Sequence, residues 1–108
     1  MIFIKIKKNA SKVSIVEING HSGYAKYDRD IVCSAVSAIA QTALMGIIDV
    51  SESEVMYKIG EEGYLKFEIP TPQSEIEDIK QQTIISTMIL GLRDIEKGYN
   101  AFVKLEGN

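Results

Sequence analysis

The chain opens on a two-residue alternation. Ile2, Ile4 and Ile6 fall on one side, with Phe3, Lys5 and Lys7 on the other. Successive side chains of a strand point to opposite faces, so residues 2–8 predict a strand with one buried face. Asn9-Ala10-Ser11 supplies turn chemistry. The alternation then returns over 12–19, with Val13, Ile15 and Glu17 on one side and Ser14, Val16 and Ile18 on the other. This pattern predicts a hairpin. Asn19-Gly20 ends its second strand, and residues 21–29 fit neither a strand nor a helix period.

From Ile31 to about Ile48 the spacing becomes helical. Val32, Val36, Ile39, Ala40, Ala43, Leu44 and Ile47 form one apolar stripe. Asp30 is placed to cap this helix, and its alanines allow it to sit close against a sheet. Residues 55–59 and 64–69 read as two strands joined by Gly60-Glu61-Glu62-Gly63. After Pro70-Thr71-Pro72, residues 73–97 read as a second helix with Ile76, Ile79, Ile84, Met88 and Leu92 on its apolar side. Glu75, Glu77 and Asp78 near its start and Arg93 and Lys97 near its end complement the helix dipole. Gly91 permits close packing, and Gly98 is a stop signal. Residues 99–105 form a last short strand, and Met45, Met56 and Met88 are expected in the core. The predicted fold is α+β. It is a ββαββαβ two-layer sandwich, with one mostly antiparallel sheet of about five strands and two helices on one face, in a single domain over 1–108.

Composition narrows the chemistry. The chain has 108 residues, one Cys and one His. One cysteine excludes an internal disulfide, and one Cys with one His excludes the usual four-ligand structural zinc site. Twelve Lys and Arg against fifteen Asp and Glu give a net charge of -3. That balance lacks the basic excess of a general nucleic-acid binder and suits a basic partner instead. The lysines at 5, 7 and 8 interrupt what a signal peptide would need as a continuous apolar stretch. No apolar run approaches the roughly 20 residues that cross a bilayer. The expectation is therefore a soluble, cytoplasmic protein with no membrane partner and no cofactor.

The scarce reactive side chains fall near one another. His21 stands just after the second strand, and Cys33 in the first turn of the first helix. A thiol there meets the unpaired N–H groups and the positive end of the helix, which favour thiolate. An imidazole nearby would serve as general base, then as acid for a leaving amine. On a helical wheel Cys33 lies at the edge of the apolar stripe. Asp30, Cys33 and Ser37 are expected to line one surface strip, with Gln41 following. The N–H groups of Cys33 and Ser34 are candidate oxyanion donors. Two tyrosines, Tyr24 and Tyr27, suggest a binding loop. A lone cysteine also serves commonly as a small buried hydrophobe, and the pattern leaves both readings open.

Gly20-His21-Ser22-Gly23-Tyr24 followed by Asp30-Ile31-Val32-Cys33-Ser34-Ala35-Val36-Ser37-Ala38 resembles the ribosomal-processing cysteine protease Prp family. Ser34 stands where that family more often has Ala; the wheel points it away from the strip. The resemblance implies a cytoplasmic, homodimeric endopeptidase. Its substrate would be the N-terminal extension of a basic large-subunit ribosomal protein precursor, cut after a short aromatic-rich motif. It implies Cys33 as nucleophile, His21 as general base and acid, and Asp30 as the supporting, orienting group. Gly20 would allow close backbone approach, and Ser37 would sit beside the thiol. Residues 22–29 would close over the peptide, so Ser22, Gly23, Tyr24, Tyr27, Ser34 and Ser37 are its candidate contacts.

Two rivals stand beside this reading. One is a non-enzymatic acidic module that binds a ribosome or a protein, with Cys33 packed and inert. The other is a redox-sensing thiol, which would need its resolving cysteine from another molecule.

Overall fold

The alternation at the start of the chain becomes the centre of a sheet. β1 (Ile2–Asn9) and β2 (Lys12–Asn19) pair antiparallel across a tight turn at Ala10 and Ser11, both at positive φ. The computed structural model describes residues 1–20, 25–26 and 30–107. The remaining elements are α1 (Ile31–Asp49), β3 (Met56–Ile59), β4 (Leu65–Glu68), α2 (Glu75–Gly98) and β5 (Val103–Glu106). The strands form one five-stranded sheet in the order β3-β4-β2-β1-β5. Only β1 and β5 run parallel; the other neighbours are antiparallel. The predicted α+β architecture and element order are those observed.

One sheet face is the core. Ile2, Ile4 and Ile6 of β1, Val16 and Ile18 of β2, and Leu65 and Phe67 of β4 are all buried. Opposite them, α1 buries Val32, Val36, Ala40, Ala43, Leu44 and Ile47, and α2 buries Ile85, Met88 and Leu92. Each fully enclosed side chain of this size stabilises the fold by about 1.5–3 kcal/mol relative to exposure. The two helices meet closely because glycines face isoleucines. A Cβ on Gly91 would lie 3.2 Å from Ile39, and one on Gly46 would lie 3.3 Å from Ile84.

Several expectations require correction. In β2, Val13 is buried together with Val16 and Ile18, not with Ile15. The register slips at this point: Lys7 faces Ile15, but Lys8 faces Val13. Ser14 is thus the extra residue of a bulge, and one inserted residue reverses the side-chain alternation. In α2, Ile76 and Ile79 are exposed, and the inward position is Gln81. The start of α2 is turned by a polar network instead. Ser74 caps it by accepting from the Glu77 N–H, and Glu77 in turn accepts from the Gln73 N–H and the Ser53 hydroxyl. The Gln81 amide donates to Ser53, Glu77 and the Pro70 carbonyl. Met45 and Met56 are exposed at 57% and 72%, so of the three methionines only Met88 is core. Finally, α1 is long and apolar enough to cross a membrane by length and composition, contrary to the expectation that no segment approaches this. Here its apolar stripe packs on the sheet, as in the core helix of a globular protein.

Candidate active site

The site is built at the start of α1. Asp30 takes an extended conformation (φ -81°, ψ 98°), as a helix cap requires, and one carboxylate oxygen accepts from the N–H groups of Val32 and Cys33 at 3.0 Å each. The other oxygen, Oδ2, accepts from the Cys33 thiol at 3.3 Å. A single carboxylate therefore caps the helix and fixes the direction of the Sγ atom. Asp30 is only 1% exposed and Cys33 7%.

Cys33 reaches solvent through a cleft of about 350 Å³ between α1 and the β3–β4 hairpin. Ser34, Ser37 and Gln41 line its helix wall, and Ile59, Gly60 and Tyr64 its hairpin wall. The lining is mostly polar, and the two serine hydroxyls and the Gln41 amide are donors within it. Tyr64 is fixed by its own hydroxyl, which donates to Glu17 on β2 at 2.9 Å. That bond to a carboxylate, with some burial and the Glu17 charge, pushes the Tyr64 hydroxyl above its ordinary value. The hairpin turn itself is closed by the Gly60 N–H donating to the Tyr64 carbonyl, with Glu62 and Gly63 at positive φ. Among the described residues, no group of three or more His, Cys, Asp or Glu is placed to hold a metal ion.

The structure brings some of the predicted site residues together and separates others. Cys33, Ser34 and Ser37 share the cleft, so Ser34 does not point away as the helical wheel suggested. The cleft spans a broad sector of α1, and Ser34, Ser37 and Gln41 follow one another at spacings of three and four. Asp30 is not on that surface strip. Capping turns its side chain back beneath the helix start, where it is buried. Neither predicted oxyanion N–H is available in this arrangement. The Cys33 N–H donates to the Asp30 carboxylate, and the Ser34 N–H makes the first intrahelical bond to the Asp30 carbonyl at 3.1 Å. Gly20 has φ +89°, and a Cβ there would lie 2.5 Å from the Met1 carbonyl oxygen. The backbone that approaches it closely is thus the start of the chain. His21, Ser22, Gly23, Tyr24 and Tyr27 lie outside the described residues.

The sequence reading missed the hairpin wall, Ile59, Gly60, Gly63 and Tyr64, and gave Gln41 no role. The two-glycine turn was visible as a hairpin, but nothing local says that the hairpin packs beside a helix some 30 residues earlier.

Comparison with known proteins gives a consistent result. The family model described as cysteine protease Prp matches residues 1–104. The ribosomal processing cysteine protease Prp of Bacillus subtilis (strain 168) is 31% identical over 110 residues, covering 100% of this chain and 98% of that protein. Among solved structures, the essential ribosomal processing protease Prp from S. aureus in complex with a covalently linked product peptide superposes with a TM-score of 0.88. It is 26% identical, with 100% of both chains covered. The same protease in complex with a substrate peptide has a TM-score of 0.81 at 24% identity, a likeness of fold.

Proposed function

The chain belongs to the cysteine protease Prp family, and from that premise we propose that it is the endopeptidase that removes the N-terminal extension of a large-subunit ribosomal protein precursor. The observation that carries this reading is the Cys33 thiol at the start of α1, directed by Asp30 at the base of a polar cleft. The names of the relatives, ribosomal processing proteases, supply the substrate class. Membership of a protease family speaks against the rival reading of a non-enzymatic binding module.

In the proposed reaction His21 takes the thiol proton. Sγ attacks the scissile carbonyl carbon, and a C–S bond forms. The imidazolium then protonates the leaving amine as the C–N bond breaks. Water, activated by the neutral imidazole, hydrolyses the thioester and restores the thiol. Asp30 is a positioning residue, because it acts on the thiol and on the first turn of α1. Donors for the developing oxyanion come from the cleft wall, with the Ser34 and Ser37 hydroxyls and the Gln41 amide in reach of the same space. Tyr24 and Tyr27 are the proposed contacts for aromatic residues before the cut. The enzyme acts in the cytoplasm as a homodimer. An apolar groove of about 640 Å³ between α1 and α2, lined by Ile39, Ile84 and the exposed Val50, supports a second copy on the helix face. A net charge of -3 supports a basic substrate.

The test is cleavage of a peptide spanning the precursor's extension, read by mass spectrometry of the new N-terminus. The parent enzyme is expected to cut once, and Cys33→Ala and His21→Ala not at all. Equal cutting by parent and Cys33→Ala would end this reading.

A further inference from the structure

The cleft that exposes Cys33 opens onto β3, which is an edge of the sheet. All four residues of β3 are exposed. The direction of its peptide groups follows from the ladder on either side. The Gly60 N–H donates to the Tyr64 carbonyl across the hairpin, and the Ile69 N–H donates to the Ser14 carbonyl on β2. Antiparallel pairs alternate along the strands, so Met56 and Lys58 turn their N–H and C=O toward β4. Tyr57 and Ile59 therefore turn theirs to the open edge. Among the described residues none bonds to them.

The side chains of these two residues lie on the helix side of the sheet. Tyr57 faces Phe67 and Ile59 faces Leu65, and both partners are core residues. Yet Tyr57 and Ile59 are 55% and 52% exposed, because they stand beyond the rim of α1. Ile59 is also part of the cleft wall opposite Cys33. The edge and the cleft are one continuous surface. Exposed carboxylates stand at both ends of the strand, Glu52 and Glu54 before it and Glu61 and Glu62 after it.

We propose that the substrate peptide binds as a sixth strand on β3, hydrogen-bonded to Tyr57 and Ile59, and so is carried in extended form past the Cys33 cleft. The inference deepens the peptidase reading and rests on it. A bare edge strand is ordinarily a liability that folds protect against, and this one lies beside the reactive thiol. Strand addition gives a peptide affinity through main-chain bonds, while alternate side chains enter pockets. Here the occupant is an extended basic segment. Its backbone is read by β3, its alternate side chains pack on Tyr57 and Ile59, and its charge meets the flanking glutamates.

Proline at 57 or 59 tests this directly. It removes one edge-facing N–H and leaves the β3–β4 ladder intact, since the lost donor is not in that ladder. Tyr57→Pro and Ile59→Pro are expected to lower kcat/KM on the extension peptide by roughly tenfold, mostly through KM. Tyr57→Ala, which keeps the N–H, is expected to lose less. The far-UV spectrum of both proline variants should stay as in the parent, and so should the iodoacetamide rate at Cys33 in Tyr57→Pro, which lies outside the cleft wall. A second measurement needs no edge substitution. In Cys33→Ala protein, bound peptide should slow amide exchange at Tyr57 and Ile59. A parent that cuts the peptide while both proline variants cut equally well overturns this inference alone. So does unchanged exchange at both amides. A parent that cuts nothing overturns the peptidase reading and this inference with it. If Tyr57→Pro changes the oligomeric state but not kcat/KM, the edge belongs to a second copy and the inference falls.

Discussion

β5 closes the sheet on one side with its Leu105 N–H bound to the Glu96 carboxylate of α2 at 2.7 Å. β3 ends it on the other side with Tyr57 and Ile59 facing outward. Both are four-residue strands of similar composition, so propensity does not separate them. The difference is what packs beside each. α2 runs directly into β5 and supplies a carboxylate that occupies an edge donor, as folds commonly do to prevent strand addition. α1 leaves β3 uncovered, and the space between them is the cleft containing Cys33. One edge is finished for stability, the other is left open at a place where chemistry can occur.

The largest effect expected on the open side is that of Cys33→Ala. It should abolish cleavage, a loss of at least about 10⁴ in kcat/KM, while the protein stays folded at a cost of about 1 kcal/mol in urea unfolding, because the buried Asp30 Oδ2 loses its thiol donor. Asp30 separates capping from positioning. Asp30→Asn retains an N-cap acceptor and is expected to keep stability within about 0.5 kcal/mol, whereas Asp30→Ala should cost about 1–2 kcal/mol in urea unfolding. Asp30→Asn should nonetheless slow cleavage at least tenfold, and iodoacetamide rates would show whether the thiol itself has changed. On the closed side, Glu96→Ala should cost about 1 kcal/mol by leaving the Leu105 N–H unpaired and should increase self-association in light scattering, with cleavage per folded molecule unchanged. Lys58→Ala on the open edge should stay within about 0.5 kcal/mol of the parent.

The smallest effect is acid dependence, and it lies away from both edges. The Gln73 N–H, then the Ser53 hydroxyl and the Gln81 amide, hold the Glu77 carboxyl below its ordinary value of 4.5. A depressed acid contributes stability that is present above its unfolded value and is lost as pH falls through the folded one. The denaturation midpoint should therefore decline below about pH 4.5, and Glu77→Gln should flatten that decline.

Much of the fold was legible because it follows from local periodicity. Ile2, Ile4 and Ile6 alternate and are buried, and the α1 stripe from Val32 to Ile47 is the observed inner face. The misread positions are those where a neighbour distant in sequence decides. Val13 joins Val16 only because Ser14 bulges against β1. Gln81 displaces Ile79 from the interior because Ser53 and Pro70 present polar atoms to it. Met56 is exposed because it pairs with Glu68 on the outer face of the sheet, away from the helices.

The same division holds at the site. Sequence alone determined that Asp30 caps a helix with Cys33 in its first turn, because a cap and its N–H partners lie within three residues. It also determined that a Cys-His pair in this chain can only be Cys33 with His21, since there is one of each. Tertiary structure alone decided that the thiol faces a hairpin, that its neighbouring N–H groups are already bonded, and that β3 rather than β5 is the open edge. Those outcomes depend on packing between segments tens of residues apart, and no local pattern encodes which segment will be the neighbour.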